Sequence, residues 1–380
     1  MFTNFRRLAT IATLIPFVIA CEKQLTPTEK NTNATRVELL KKKPGTSLTA
    51  NVRVFAEGLN NPRGLEFGPD GYLYVAEAGV GGLMSTIGQC QQVAFPVGPY
   101  MGSVTGAGVS KISPSGMRTV VTNQLPTSNA NEIIGGDVQG VSDVAFVGNT
   151  LYALEAGAGC SHGVASVPNG IFRMNSDGSW TMIADLSAFY KANPVANPAE
   201  SDFEPDGVPY SMVNVRGDFY VVEPNHGALD KVTTSGEIER VVDISATEGH
   251  IVPTTIAYHG NFFVGNLGLF PIQEGSSKIM KITPSGEIKD WVTGLTTVLG
   301  LVMDGNTMYV LEMTVGAPFP TPGLGRILRI DPNGTKTVIA SGLNLPTAMT
   351  MGPDGNLYVS NWGFSPMAIG GGQVLQVDLP

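Results

Sequence analysis

Apolar and polar residues alternate over short segments of this chain, and turns containing Gly, Pro or Asn separate the segments. One four-residue pattern recurs: an aromatic residue, two apolar or small residues, and then Glu or Asn. Its six copies are Tyr74–Glu77, Tyr152–Glu155, Tyr220–Glu223, Phe263–Asn266, Tyr309–Glu312 and Tyr358–Asn361. Alternation with a period of two predicts β-strands, and repeats at intervals of roughly 40–50 residues are typical of propellers.

The same order of predicted strands and turns surrounds the copies of this pattern. An alternating segment and a turn precede it, and a third strand, a second turn and a fourth strand follow it. The second turns end in Gly, which accepts the positive φ of a tight turn; they span residues 113–116, 175–178, 233–236, 283–286 and 331–334. Four antiparallel strands repeated six times predict an all-β fold, a six-bladed β-propeller over residues 51–380.

The two ends of this region complement each other. Val52–Gly58 has the pattern of a fourth strand that no third strand precedes, whereas Val374–Asp378 has the pattern of a third strand that no fourth strand follows. We therefore expect the N-terminal strand to complete the last blade. This arrangement closes the ring and leaves no free sheet edge.

Composition and charge narrow the class of partner. Apolar residues make up 42% of the chain and charged residues 14%, which fits a large buried core between blades. The net charge of −9 argues against a partner that offers nucleic-acid phosphates. We expect no nucleic-acid partner, and the pattern leaves the oligomeric state open.

The N-terminal segment has the features of an export signal. Arg6 and Arg7 precede an apolar run, Leu8–Ala20, that is short for a membrane span, so residues 1–20 are interpreted as a signal peptide. It ends in VIAC, which resembles the bacterial lipobox. We therefore expect lipidation at Cys21, a flexible tether over residues 21–50, and a location on the periplasmic side of a membrane or at the cell surface. The alternative is an ordinary signal peptide with an incidental cysteine.

Export changes the interpretation of the two remaining cysteines. Cys90 and Cys160 each follow the recurrent strand, in the first and second blades, so they emerge on one face from neighbouring blades. In an oxidising compartment such a pair favours a disulfide. Two free buried thiols are the alternative.

Several motifs resemble one known family. The six repeats occur with DLSAFYKANP (Asp185–Pro194), EPNHG (Glu223–Gly227), VLE (Val310–Glu312) and the closing YVSNWG (Tyr358–Gly363). Together they resemble the ScyD/ScyE family, which comprises exported propellers of the NHL-like type. The resemblance implies the fold and export of the chain, and it supplies no set of catalytic residues.

Two rings of residues are expected at one end of the propeller, called here the upper face. The innermost strands are predicted to begin at Arg63, Ser142, Tyr210, Thr254, Leu299 and Thr347, and the second strands are predicted to end at Glu77, Glu155, Glu223, Asn266, Glu312 and Asn361. Three interpretations of the second ring remain open. The Glu and Asn side chains accept backbone N–H groups, the four glutamates hold Ca²⁺ through hard oxygen ligands, or the ring binds a polar ligand with Arg63 as an anion clamp.

Two functions follow from these alternatives. The favoured one is an anchored propeller that binds a small molecule or a protein partner at the mouth of the channel on the upper face, where Arg63, Tyr210 and the ring would line the site. The other is a calcium-dependent lactonase or esterase-like hydrolase, with Glu223 and His226 as candidate catalytic residues. Asp185–Pro194 is predicted to form a short helix with Asp185 as its N-cap, and Glu204–Gly207 part of an irregular covering loop.

Overall fold

The computed structural model describes residues 47–131, 137–199, 201–364 and 370–379. In these ranges the chain forms six antiparallel sheets, which are the six blades of a propeller. The predicted signal peptide, Cys21 and most of the predicted tether lie outside the described residues. No helix in the described part of the chain is both long and apolar enough to cross a membrane.

The strands of the first three blades follow one another along the chain. Blade 1 contains β2 (Pro62–Phe67), β3 (Leu73–Glu77), β4 (Met101–Ile112), β5 (Arg118–Asn129) and an added two-residue strand, β6 (Val138–Gln139). Blade 2 contains β7 (Val141–Val147), β8 (Thr150–Glu155), β9 (Gly170–Met174) and β10 (Trp180–Asp185). Blade 3 contains β11 (Ser211–Val215), β12 (Asp218–Glu223), β13 (Ala228–Val232) and β14 (Ile238–Asp243).

The other three blades complete the ring. Blade 4 contains β15 (Pro253–Tyr258), β16 (Phe262–Asn266), β17 (Ser277–Ile282) and β18 (Ile288–Leu295). Blade 5 contains β19 (Val298–Asp304), β20 (Thr307–Glu312), β21 (Gly325–Ile330) and β22 (Lys336–Leu343). Blade 6 contains β23 (Ala348–Met351), β24 (Leu357–Asn361), β25 (Gly372–Val377) and β1 (Val52–Leu59).

The predicted closure of the ring is confirmed. Strand β1 pairs antiparallel with β25, from Val52 opposite Val377 to Leu59 opposite Gly372. The second strand of each blade also ends at the Glu or Asn that the sequence pattern assigned to it. Apart from the added β6, the predicted architecture of six four-stranded blades is therefore the observed one.

Contacts between neighbouring blades explain why the recurrent strand begins with an aromatic residue. The ring of Tyr152 in blade 2 lies 4.8 Å, centroid to centroid, from the ring of Phe219 in blade 3. Tyr220 in blade 3 makes the same kind of contact with Phe262 in blade 4, at 4.4 Å. Burial of these large apolar rings between sheets holds adjacent blades together.

Hydroxyl groups at the start of alternate innermost strands also connect blades. Ser142 Oγ donates to Pro209 O of the next blade at 2.7 Å, and Thr254 Oγ1 donates to Val298 O at 2.6 Å. Thr347 Oγ1 donates to Pro62 O at 2.7 Å and so connects the last blade to the first. All three hydroxyls are buried, where a satisfied polar group is required.

In the described ranges, two α-helices and one disulfide lie outside the blades. Helix α1 (Leu186–Ala192) begins as predicted, because the Asp185 side chain accepts a hydrogen bond from Ala188 N at 2.8 Å. Helix α2 spans Ser245–Glu248. The predicted disulfide between Cys90 and Cys160 is confirmed, and it connects the loop after β3 to the loop after β8.

Candidate functional site

The ring of Glu and Asn residues at the ends of the second strands is buried. The exposed fraction of each of these six residues is 5% or less. Three of them accept the backbone N–H of the connection that arrives from the previous blade: Glu77 from Asn60 at 2.7 Å, Glu312 from Thr296 at 2.6 Å and Asn361 from Asn344 at 2.8 Å. The ring therefore fixes the connections that lead into the innermost strands.

The other three members of the ring bond to nearby backbone in the same way. Glu223 accepts the N–H groups of Val208 and His226, and Glu155 accepts the N–H of Gly157 at 2.7 Å. Asn266 accepts Lys278 N at 2.7 Å and donates to Ile251 O at 2.9 Å. These bonds are the ones expected from the first of the three interpretations, in which the Glu and Asn side chains accept backbone N–H groups.

The four glutamates differ in how their charge is compensated. Arg118 Nη2 lies 2.8 Å from Glu77 Oε1, and Arg326 donates to Glu312. Among the described residues no Lys or Arg forms an ion pair with Glu155, whose Oε2 lacks a hydrogen-bond partner there. Burial raises the pKa of Glu155 to about 8, so it is mostly protonated at neutral pH.

The structure does not bring the four glutamates together as one set of metal ligands. The described part of the chain contains no group of three or more His, Cys, Asp or Glu side chains that could hold a metal ion. Calcium bound by Glu77, Glu155, Glu223 and Glu312 remains a prediction, and the N–H groups described above already occupy oxygens of each carboxyl group.

Arg63 and Tyr210 lie at the upper end of the channel and bond to backbone. Arg63 is 2% exposed, and its guanidinium donates to Gly363 O, to Val138 O at 2.6 Å and to Asp137 Oδ1 at 3.2 Å. The Tyr210 hydroxyl donates to Thr347 O at 3.2 Å. Arg63 thus connects blades 6 and 1, and an anion-binding role for it remains a prediction.

His226 lies beneath the loop that was predicted to be a cover. It is 2% exposed, and its ring packs 5.0 Å from that of Tyr190 in α1 and 5.1 Å from that of Phe203. Its Nε2 bonds to Glu204 O at 3.1 Å, and its Nδ1 has no partner among the described residues. His226 and Glu223 therefore lie within the packing under the covering loop, and a catalytic role for either residue remains a prediction.

The carboxylate of Glu204 joins this loop to its surroundings. Its Oε2 lies 2.8 Å from His162 Nε2, and its Oε1 accepts the Tyr100 hydroxyl at 3.2 Å. Asn225 Oδ1 accepts Glu204 N at 2.8 Å. The covering loop is thus bonded to blades 1, 2 and 3 through one acidic residue.

The described residues line a cavity of about 400 Å³ along the propeller axis. Residues of all six innermost strands line it, and its two ends differ. Ser142, Leu299 and Thr347 at the upper end are buried, whereas the lower end is lined by half-buried residues: Glu66, Asn214, Tyr258, Met303 and Met351. Tyr210 at the upper end is half-buried as well, so the lining is partly exposed at both ends.

Two carboxyl groups of this cavity were not among the residues singled out from the sequence. Burial and the neighbouring charge of Asp143 raise the pKa of Glu66 to about 7. Burial also raises the pKa of Asp143 to about 7, although Met212 N at 2.8 Å and Ser211 Oγ at 3.1 Å donate to its carboxylate. Both groups can donate or accept a proton near neutral pH.

One signal in the sequence could have identified this pair. Glu66 in GLEF and Asp143 in SDVAF are acidic residues inside innermost strands that are otherwise apolar. The position of the Asp143 carboxyl group also depends on Gly64, where a Cβ atom would clash with Asp143 Oδ1. A glycine in the first blade thus makes room for a carboxyl group of the second.

No family model matches the chain, and no curated protein is similar to it in sequence. Its fold resembles that of a gluconolactonase from Xanthomonas campestris, at 11% identity and a TM-score of 0.51 over 87% of this chain and 89% of that one. It also resembles the PQQ-bound aldose sugar dehydrogenase of Streptomyces coelicolor, at 14% identity and a TM-score of 0.50 over 88% and 99%. A protein of unknown function from Bacteroides thetaiotaomicron gives 12% identity and a TM-score of 0.54 over 87% and 76%.

These likenesses concern the fold alone. The neighbours are six-bladed propellers, as this chain is. The resemblance to the ScyD/ScyE family has no matching family model behind it and remains a prediction.

Proposed function

We propose that this chain is an exported, lipid-anchored propeller of the ScyD/ScyE type that binds a small polar molecule in its central cavity. The observation that carries the proposal is the cavity of about 400 Å³ with Glu66 and Asp143 in its lining. A mostly preformed concave space with a few polar groups is the usual form of a small-molecule site. The ligand enters at an end of the cavity, where the lining is partly exposed.

The chemistry of the lining favours an uncharged ligand with several hydroxyl groups. Glu66 and Asp143, with pKa values of about 7, each supply a donor when protonated and acceptors when ionised. Ser211 and Thr255 add hydroxyls at other points of the wall. Sugars and sugar lactones match this set, and the names of two fold neighbours supply gluconolactone and aldoses as the first compounds to screen.

A hydrolase is the second candidate, and the same pair of carboxyl groups supports it. Groups whose pKa lies near the working pH are the most effective general acids and bases. In this candidate Glu66 and Asp143, rather than Glu223 and His226, would act as base and acid: one takes a proton from the water that attacks the carbonyl carbon of a lactone or ester, and the other protonates the oxygen that leaves as the C–O bond breaks. The calcium that was predicted from the ring of glutamates is not needed for this step.

The test is a binding titration of the chain from Glu22 with aldoses and gluconolactone by calorimetry. We expect Glu66→Gln and Asp143→Asn to weaken binding at least tenfold, because each loses an acceptor or donor in the cavity. Glu287→Gln, at an exposed turn position, is the matched control and should bind as the unaltered chain does. Equal affinity in all four proteins would exclude the cavity as the site.

Hydrolysis is measured in the same samples by titration of released acid. Turnover of a lactone that disappears in Asp143→Asn, while folding is intact, would favour the hydrolase. Binding without turnover would favour the binding protein.

The proposed export and lipid anchoring of the protein are tested separately. We expect the mature protein to begin at Cys21 and to carry the mass of attached acyl chains, and Cys21→Ser to abolish that added mass. An unmodified mature protein would contradict lipidation and would leave the cavity proposal unaffected.

A further inference from the structure

The loop between β3 and β4 of blade 1 lacks charge. No Asp, Glu, Lys, Arg or His occurs from Ala78 to Ser110, although 14% of the chain is charged and a stretch of this length would carry about four or five such residues at that average. Most of it lies between the second and third strands, at the upper face. We call residues 78–104 the blade-1 arm.

The arm leads into the two longest described strands of the propeller. Strands β4 and β5 are 12 residues long, whereas every other described strand has eight residues or fewer. Met84 and Gly102 pair through two backbone hydrogen bonds of 2.7 and 2.9 Å, and the Cys90–Cys160 disulfide joins the arm to blade 2. The arm is therefore held in a defined position outside the ring.

Large apolar side chains of the arm point into solvent. Leu83 is 90% exposed, Phe95 67% and Ile87 62%. Blade 4, directly across the ring, carries a second apolar pair in its equivalent loop, Leu269 at 51% and Phe270 at 63%. The upper face thus has exposed apolar side chains on opposite sides of the ring, and residues 83–95 of the arm bring three of them close together in sequence.

We propose that the upper face docks on a lipid bilayer, with the blade-1 arm inserted at the boundary between headgroups and acyl chains. The arm is uncharged, and the loop of blade 4 carries one exposed acid, Glu274, so the arm is the part suited to a deformable apolar medium. The net charge of −9 makes electrostatic attraction to anionic lipid unfavourable, so the contact is hydrophobic.

The proposal rests on the export and anchoring proposed above, which supply the bilayer as the nearest partner. The contour length of residues 22–50 is at most roughly 100 Å. The lipid attached at Cys21 would hold the propeller within that distance of the membrane. Docking of the upper face would leave the lower end of the central cavity open to solvent.

Flotation with phosphatidylcholine vesicles, with and without phosphatidylglycerol, tests the contact. The protein is the chain from Glu22, which lacks Cys21 and keeps every described strand, so lipidation cannot contribute. We expect it to float with the vesicles, and Leu83→Asp and Phe95→Asp each to reduce the bound fraction about tenfold. Met117→Asp is the control, since Met117 is 69% exposed in a turn at the lower face.

Three results would overturn the proposal. The first is an unaltered chain that does not float, and the second is an arm variant that floats as well as the control. The third is a chain that elutes as a dimer and becomes a monomer in Leu83→Asp, since the arm would then bind a second copy. Thermal melts of each variant confirm that a loss of flotation is not a loss of folding, because these side chains are exposed.

Discussion

Acidic residues occupy two regions of this propeller, and the two sets differ in what surrounds them. The ring at the ends of the second strands is buried, and its carboxyl oxygens accept backbone N–H groups or Arg side chains. Glu66 and Asp143 line a cavity, although Asp143 also accepts the N–H of Met212 in the next blade. A repeated acidic residue is therefore better evidence of a repeated backbone contact than of a site, whereas the functional candidates are acids that occur once.

Loss of a ring carboxylate is expected to have the largest effect on stability. In Glu312→Ala the Thr296 N–H loses its acceptor and Arg326 loses its partner. We expect the free energy of unfolding to fall by about 4 kcal/mol, as when one partner of a buried ion pair is removed. Denaturant titration measures this, with Glu287→Ala as a control of unchanged stability. An effect below 1 kcal/mol would show that the ring does not fix the connections.

Glu155→Gln should change how stability depends on pH. Between pH 4.5 and 8 the unfolded chain releases the Glu155 proton while the folded chain retains it, because burial raises the pKa to about 8. Stability of the unaltered protein therefore falls as pH rises through this window, and the Gln variant lacks that part of the fall.

We expect Glu155→Gln to be more stable than the unaltered protein by about 3 kcal/mol at pH 7 and similar to it at pH 4.5. Melting curves across this range measure the difference. Parallel pH profiles of the two proteins would contradict a raised pKa at this position.

The smallest expected effect on stability is that of a substitution in the lining of the cavity. Glu66→Gln removes a half-buried carboxyl group with a pKa of about 7. The unaltered protein loses stability between pH 4.5 and 7 because of this group, and the variant does not. We expect a difference of about 1 kcal/mol at pH 7.5 after solvent screening. A large loss of stability instead would place Glu66 with the ring, as a residue required for folding.

Much of the fold could be predicted because its determinants are local. Turns, alternation and the Glu or Asn that ends each second strand lie within a few residues of one another, and the six strand ends agree with the structure. The Cys90–Cys160 disulfide followed from the equivalence of two loops. The added strand β6 was not predicted, because its two residues, Val138 and Gln139, carry too short a pattern.

The site was harder to predict because it depends on contacts between blades. Gly64 leaves room for Asp143, and this relation joins two innermost strands that are far apart in sequence. His226 was a candidate catalytic residue, yet Phe203 and Tyr190 pack over it. The alternation of polar and apolar residues within one segment does not reveal either of these contacts.

The pairing of β1 with β25 sets the order of events during synthesis. The two strands are more than 300 residues apart, so the sixth sheet cannot be completed until nearly the whole chain has left the ribosome. A chain interrupted before Gly372 would keep β1 without its partner and β24 with an open edge. Late closure of this kind would suit the export proposed above, in which an unfolded chain passes through a translocation channel.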